Sequence, residues 1–319
     1  MSDSLAIATS DNSPAAHGVG LTLFAMPKAF HGHSGLIQRN AIGSWLRLTP
    51  RPEIILFGDD AGTAEFAAEH GLIHVPIVRR NENGTPLMDD MFRTAHDRAA
   101  HDLLTYINAD IILTDDFTRT VEHAAAEISG PFLMIGRRTD VNLFEQLPFD
   151  DPHWSNKLLD LARREGDWAP RVCKDYFVFR KPLLADIPPF AIGRAVYDNW
   201  FVYDVKRRGL PVVDATGLIS AVHQNHGYGH VAGGNRGQAY VRGEESRRNK
   251  QLAGGMRLVA GSTTTHALTT AGLRRRSLPS DWPQFLADLP RFLRLVLELY
   301  GWSEPAFAKA ARRREAGLR

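Results

Sequence analysis

Residues 106–113, Tyr106-Ile107-Asn108-Ala109-Asp110-Ile111-Ile112-Leu113, set two oxygen-bearing side chains inside an apolar run. Tyr, Ile and Leu fit a buried pleated surface, so residues 104–113 read as one strand. Asn108 and Asp110 are two apart, and on an extended backbone they point the same way. Two hard oxygen ligands on one side of a strand end suit a divalent cation, Mn²⁺ or Mg²⁺, that also carries a phosphate. The competing use is a loop in which both side chains cap the next turn.

The elements that must position these residues alternate regularly in the first half. Apolar runs predict strands over 21–26, 53–57, 73–78 and 104–113. Helical spacing predicts helices over 37–48, 62–70 with Gly71 as its stop, and 87–101. The order β-α-β-α-β-α-β predicts an α/β fold with a mostly parallel central sheet covered on both faces. Ligands of such sheets sit outside the carboxyl ends of the strands. The polar signatures Lys28 to His33, Asp59-Asp60 and Asn108-Ala109-Asp110 all fall at those ends.

The second half is less regular. Strands are predicted over 131–136, 175–179, 210–215 and 218–223, and a helix over 198–208 closed by Gly209. Gly233-Gly234 and the charges from Arg242 to Lys250 suggest an exposed segment. Residues 283–300 form an amphipathic pattern in which Phe285, Leu289, Phe292, Leu293, Val296 and Leu297 share a face, followed by Arg312-Arg313-Arg314. That helix either packs on the domain or makes a peripheral membrane contact. The expected division is a disordered leader over 1–20, a catalytic domain over 21–240 and a C-terminal helical extension over 241–319.

Composition bounds the rest. The chain has 319 residues, 44% hydrophobic and 23% charged, as in ordinary soluble globular proteins. A net charge of +2 gives no support to nucleic-acid binding. The one cysteine, Cys173, cannot form an internal disulfide and fits a reducing compartment as a small buried hydrophobe. With no signal-peptide pattern and no apolar run of about 18 residues, a cytoplasmic location is expected, with membrane contact at most peripheral.

In chain order, residues 20–230 resemble the family 2-like glycosyltransferases of the nucleotide-diphospho-sugar transferase superfamily, which have the GT-A fold. That family usually holds its metal with Asp-x-Asp, so Asn108 departs from the pattern by replacing a carboxylate with an amide. The resemblance implies a metal-dependent transferase with a nucleotide-diphospho-sugar donor and a hydroxyl acceptor. Asp59 matches the acidic residue set against the nucleoside, where a carboxylate accepts from ribose hydroxyls or a base N–H. It serves equally as a helix cap, as does Asp60. Asn83-Gly84 matches the loop under the donor, where glycine permits close backbone approach. Arg137, with Arg138 and Arg39, offers bidentate contacts to phosphate. Gly193, Arg194, Tyr197 and Trp200 match the acceptor side. Asp198 matches the general base of the inverting members, which takes the acceptor's proton during attack. His223 and His226, with His230 as a third candidate, match a histidine that completes the metal site.

Two other functions compete. A sugar-nucleotidyltransferase resembles a different opening, with Gly-Gly-x-Gly after the first strand, where this chain has Met26-Pro27-Lys28. A non-catalytic nucleotide- or carbohydrate-binding relic of the fold is kept open by Asn108.

Overall fold

A computed structural model of the protein describes residues 19–169, 173–226, 243–254 and 264–276. The expected leader over 1–18, His230, and the amphipathic segment 283–300 with Arg312 to Arg314 lie outside the described residues.

The first half alternates as its pattern predicts: β1 (Leu21–Ala25), α1 (Gly32–Trp45), β2 (Glu53–Phe57), α2 (Thr63–His70), β3 (Ile73–Val75), α3 (Met88–Arg98) and β4 (Leu103–Ile107). Gly71 closes α2 in the left-handed conformation, with φ 64°, a geometry that glycine adopts without steric penalty. Then follow β5 (Ile111–Ile112), α4 (Asp116–Glu127), β6 (Leu133–Ile135), β7 (Arg138–Val141), α5 (Trp154–Glu165), β8 (Asp167–Trp168), β9 (Tyr176–Arg180), α6 (Tyr197–Arg207), β10 (Val212–Asp214), β11 (Ala221–Gln224), α7 (Glu244–Leu252), β12 (His266–Thr269) and β13 (Gly272–Arg275).

Nine strands form the main sheet in the order β13-β12-β10-β6-β9-β4-β1-β2-β3. Most neighbours are parallel; β9 runs antiparallel between β6 and β4, and β13 pairs antiparallel with β12 at one edge. The expected α/β architecture is therefore present. Because β12 and β13 belong to this sheet, the expected division at residue 240 does not divide it.

Side chains alternate across the sheet with the two-residue period of a strand. Phe24, Ile55 and Tyr106 join Met88 and Phe92 of α3 and Phe201 and Val205 of α6 on one face. Leu23, Ala25, Ile54 and Ile107 join Ala41 and Trp45 of α1, Phe66 of α2 and Phe117 and Val121 of α4 on the other.

A second, four-stranded sheet has the order β5-β11-β7-β8 and packs on α5 through Ile112, Val141, Val222 and Leu158. The chain passes from the main sheet into the second at three described places: β4 into β5, β6 into β7 and β10 into β11. The expected single strand over 104–113 is thus two strands in two sheets. Asn108 to Asp110 form the turn between them, closed by a hydrogen bond from the Ile111 N–H to the Asn108 carbonyl at 3.2 Å. The apolar character resumes at Ile111 because both sheets are buried, so hydrophobicity alone does not mark the break. The segment expected to be exposed from Arg242 to Lys250 includes α7, whose Ser246 and Asn249 are buried.

The aromatic centre of the first face is Phe92, fully buried, with ring centroids of Phe24, Phe201 and Tyr106 at 5.0, 5.2 and 5.4 Å. We expect Phe92→Ala to destabilise the fold by about 3–5 kcal/mol, read from urea denaturation. A loss well under about 1 kcal/mol would show that the packing described is not formed.

Candidate functional site

A cleft of about 440 Å³ opens where the strands cross from the main sheet to the second one. Its lining joins Lys28, Asp60, Gly84, Asn108, Asp110, Arg138, Lys174, Asp175, Arg194, Asp198, His223 and His226. That volume falls within the range typical of small-ligand sites.

The crossings bring three metal-ligating groups together. Asp110 leaves the turn after β4, His223 stands on β11, and His226 follows that strand. One ligand atom of each lies within 4.8 Å of the others. Asp110 Oδ2 is 3.0 Å from His226 Nε2 and 3.6 Å from His223 Nε2. The other oxygen of Asp110, Oδ1, is buried without a hydrogen-bond partner among the described residues. An orphaned buried carboxylate oxygen beside two imidazoles fits a divalent cation. The donor set also discriminates. Two imidazoles favour a first-row transition ion over Mg²⁺, which prefers oxygen ligands throughout.

Behind the three ligands runs a chain of opposite charges. His223 Nδ1 is 2.9 Å from Asp140 Oδ1, and Arg138 Nε donates to that same oxygen at 2.7 Å. Arg138 Nη1 reaches Asp175 Oδ1 at 2.5 Å, and Asn108 Nδ2 donates to that oxygen at 2.8 Å. Burial pulls the His223 imidazole down, but Asp110 and Asp140 outweigh it and raise the pKa to about 9. Burial likewise pushes the Asp110 carboxyl up, yet the two histidines hold it well below the usual carboxylate range. Arg138 is buried, and Asp175 and Asp140 more than offset that burial, so it stays charged.

On the opposite wall, Asp198 lies in the first turn of α6. Burial raises its carboxyl above the ordinary value of 3.8, against the pull of Lys174. Lys174 is itself buried and donates to Asn199 Oδ1 at 2.9 Å, which holds it beside the helix start.

The structure redistributes several expected roles. Asn108 lines the cleft, and its amide nitrogen donates to Asp175 Oδ1. Asp59 is exposed and pairs with Arg80 at 2.6 Å; its neighbour Asp60 faces the cleft instead. Asn83 sits at an exposed turn tip, and only Gly84 of that pair lines the cleft. Arg137 points away, bonding the Ala169 carbonyl and lying over Trp168, because neighbouring residues of an extended chain alternate in direction. Arg138 takes its place. Gly193, Arg194 and Tyr197 line the cleft, whereas Trp200 packs on Phe190 and Phe201 in the core. Trp200 is two helical positions, about 200°, around from Asp198.

The sequence reading missed Asp140, and it left the role of Asp175 open. Asp140 gave no signal, since it follows a charged run that reads as a surface loop. Asp175 opens the apolar strand expected over 175–179, a carboxylate at a strand end.

No protein-family model matches the chain, and no curated protein matches it. Solved structures resemble parts of it. S. aureus TarS 1–349 is 10% identical, with a TM-score of 0.31 over 42% of this chain and 40% of that one. The mannosyltransferase PcManGT from Pyrobaculum calidifontis, in complex with GDP-Man and Mn²⁺, is 14% identical, with a TM-score of 0.39 over 66% of this chain and 59% of that one. A protein assigned as a nucleotide-diphospho-sugar transferase from Desulfovibrio desulfuricans G20 is 14% identical, with a TM-score of 0.39 over 74% of this chain and 97% of that one. All three are distant likenesses, and the chemistry of the site is taken from its own side chains.

Metal binding at the trio must displace the His223 proton, which is held up to about 9. We therefore expect Mn²⁺ affinity to rise with pH until that imidazole is neutral and to fall as pH drops below it. Calorimetry in buffers of different ionisation enthalpy should detect the released proton at neutral pH, and Asp110→Ala should abolish binding. An affinity that does not change between about pH 6 and about pH 9 would contradict the ligand set.

Proposed function

We propose that the protein is a metal-dependent glycosyltransferase of GT-A type, taking a sugar from a nucleotide-diphospho-sugar and passing it to a hydroxyl acceptor. The observation that carries this reading is the pairing across one cleft of a cation-binding trio with a carboxylate whose burial keeps it a ready base. Both walls lie at the carboxyl ends of parallel strands, where α/β sheets bind ligands.

In this reading Asp110, His223 and His226 hold a divalent cation, for which Mn²⁺ is the better match. Held there, such an ion would supply positive charge to offset the negative charge developing on a diphosphate leaving group. Lys28 lines the cleft within the field of Asp110 and adds a positive charge near the same end. Asp198 accepts the proton of the acceptor hydroxyl while that oxygen bonds to the anomeric carbon and the bond to the diphosphate breaks. Attack from the side opposite the leaving group inverts the anomeric configuration. A carboxylate whose pKa lies above the ordinary value is a stronger base for this transfer, provided that it is ionised at the working pH.

The loops beside Asp198 are fastened for this work. Arg194 bonds Glu245 of α7 through Nε at 2.8 Å and Nη2 at 2.6 Å, and Asn81 donates to the same carboxylate at 2.6 Å. Asn249 Oδ1 accepts from the Ala191 N–H at 2.9 Å. The helix thereby ties together the turn that carries Gly84 and the loop that leads to Asp198.

We expect UDP or GDP to raise the melting temperature only when Mn²⁺ is present, since a ligand that binds the folded state stabilises it by mass action. A panel of nucleoside diphosphates that gives no shift with Mn²⁺ would defeat the proposal. A shift without turnover of any nucleotide-sugar would leave a binding protein.

Asp198→Asn should lower turnover by roughly 10²–10⁴-fold with donor affinity largely kept. The wild-type rate should fall as acid protonates Asp198, with that limb above 3.8, and the variant should lack the limb. Full turnover in the variant, or a product that retains the anomeric configuration, would remove Asp198 from the role of base.

A further inference from the structure

One carboxylate in the cleft has a fixed position and no role in the chemistry above. Asp175 stands just before β9, 8% exposed, and lines the cleft. Arg138 and Asn108 both hold its Oδ1. Its carbonyl also accepts from the Asn108 N–H at 2.9 Å, so the residue is pinned through side chain and backbone together. Its Oδ2 is buried and has no hydrogen-bond partner among the described residues. Leaving such an oxygen unpaired is costly, and its presence in a cleft calls for a donor that arrives with a ligand.

The position of Asp175 says which part of a ligand that would be. Asp175, Asp110, Asp198 and Tyr106 all line the one cleft, and Asp175 is hydrogen-bonded to Asn108, two residues from Asp110. Between a diphosphate held at Asp110 and an acceptor oxygen at Asp198 lies the glycosyl unit, a ring of hydroxyl donors.

We infer that Asp175 is a specificity-determining residue that accepts, through Oδ2, a hydrogen bond from a hydroxyl of the transferred sugar; this rests on the transferase reading. It also gives Asn108 a purpose. Only an amide at that position can donate to Asp175, whereas a carboxylate there would repel it. The departure from Asp-x-Asp thus orients a second acid rather than weakening the cation site.

The test is calorimetry with Mn²⁺ on the full chain, using UDP, UDP-glucose, GDP and GDP-mannose as probes. Asp175→Asn keeps an acceptor oxygen for Arg138 and Asn108, and an unchanged melting temperature will show that it folds. It should lower affinity for the nucleotide-sugar that binds by about tenfold or more and leave the matching diphosphate within about twofold. Analogues lacking one sugar hydroxyl should reveal one position whose removal weakens the wild type but not Asp175→Asn. Asn108→Asp should shift nucleotide-sugar affinity in the same direction.

Equal losses for diphosphate and nucleotide-sugar would make Asp175 a structural anchor and overturn the inference, as would no loss at all or a gain from Asn108→Asp. A wild type that binds none of the four probes would instead overturn the transferase reading, and the inference with it.

Discussion

A carboxylate taken out of water stays ionised only beside a compensating charge or donor. In this protein that requirement is met by one continuous relay: His226 to Asp110, Asp110 to His223, His223 to Asp140, Asp140 to Arg138, and Arg138 to Asp175. Each acid is flanked by cationic or ionisable nitrogen, and Asn108 adds a neutral donor at the far end. Removing a middle member would leave its neighbours buried and uncompensated, so these residues act as a unit rather than as separate contacts. Two buried carboxylate oxygens of the relay have no hydrogen-bond partner among the described residues, Asp110 Oδ1 and Asp175 Oδ2, and both belong to residues that line the cleft.

The relay exists because the chain crosses between two sheets at one edge. A single sheet would spread Asp110, Asp140 and His223 along separate strand ends. The second sheet instead hydrogen-bonds β11 between β5 and β7, with His223 opposite Ile111 on one side and Asp140 on the other. Strand register sets those pairings to within a residue, since a slip of one would turn the side chains to the opposite face. Close packing of the aromatic core under β4 and β9 keeps the crossing points fixed.

The opposite wall obeys a different logic. Among the described residues no arginine pairs with Asp198 as Arg138 pairs with Asp140 and Asp175; the buried Lys174 lies near it, its ammonium itself disfavoured by desolvation. Burial therefore prevails at Asp198, while pairing prevails at Asp110. Two aspartates in one cleft are thus driven in opposite directions by their surroundings.

The sequence by itself determined the alternating α/β plan of residues 21–107, because apolar period and glycine stops are local signals that the tertiary fold reinforces. It also marked Asp110 by its place in an apolar run, while Asp198, His223 and His226 entered through the resemblance to a known family. Only the tertiary structure decided which neighbour faces inward: Asp60 rather than Asp59, Arg138 rather than Arg137, Tyr197 rather than Trp200. Those choices depend on where a turn ends and which face a helix buries, and a shift of one residue reverses them. Asp140 and Asp175 were decided there too. Their roles come from partners 83 and 67 positions away in sequence, His223 and Asn108, and no local pattern encodes a contact of that range.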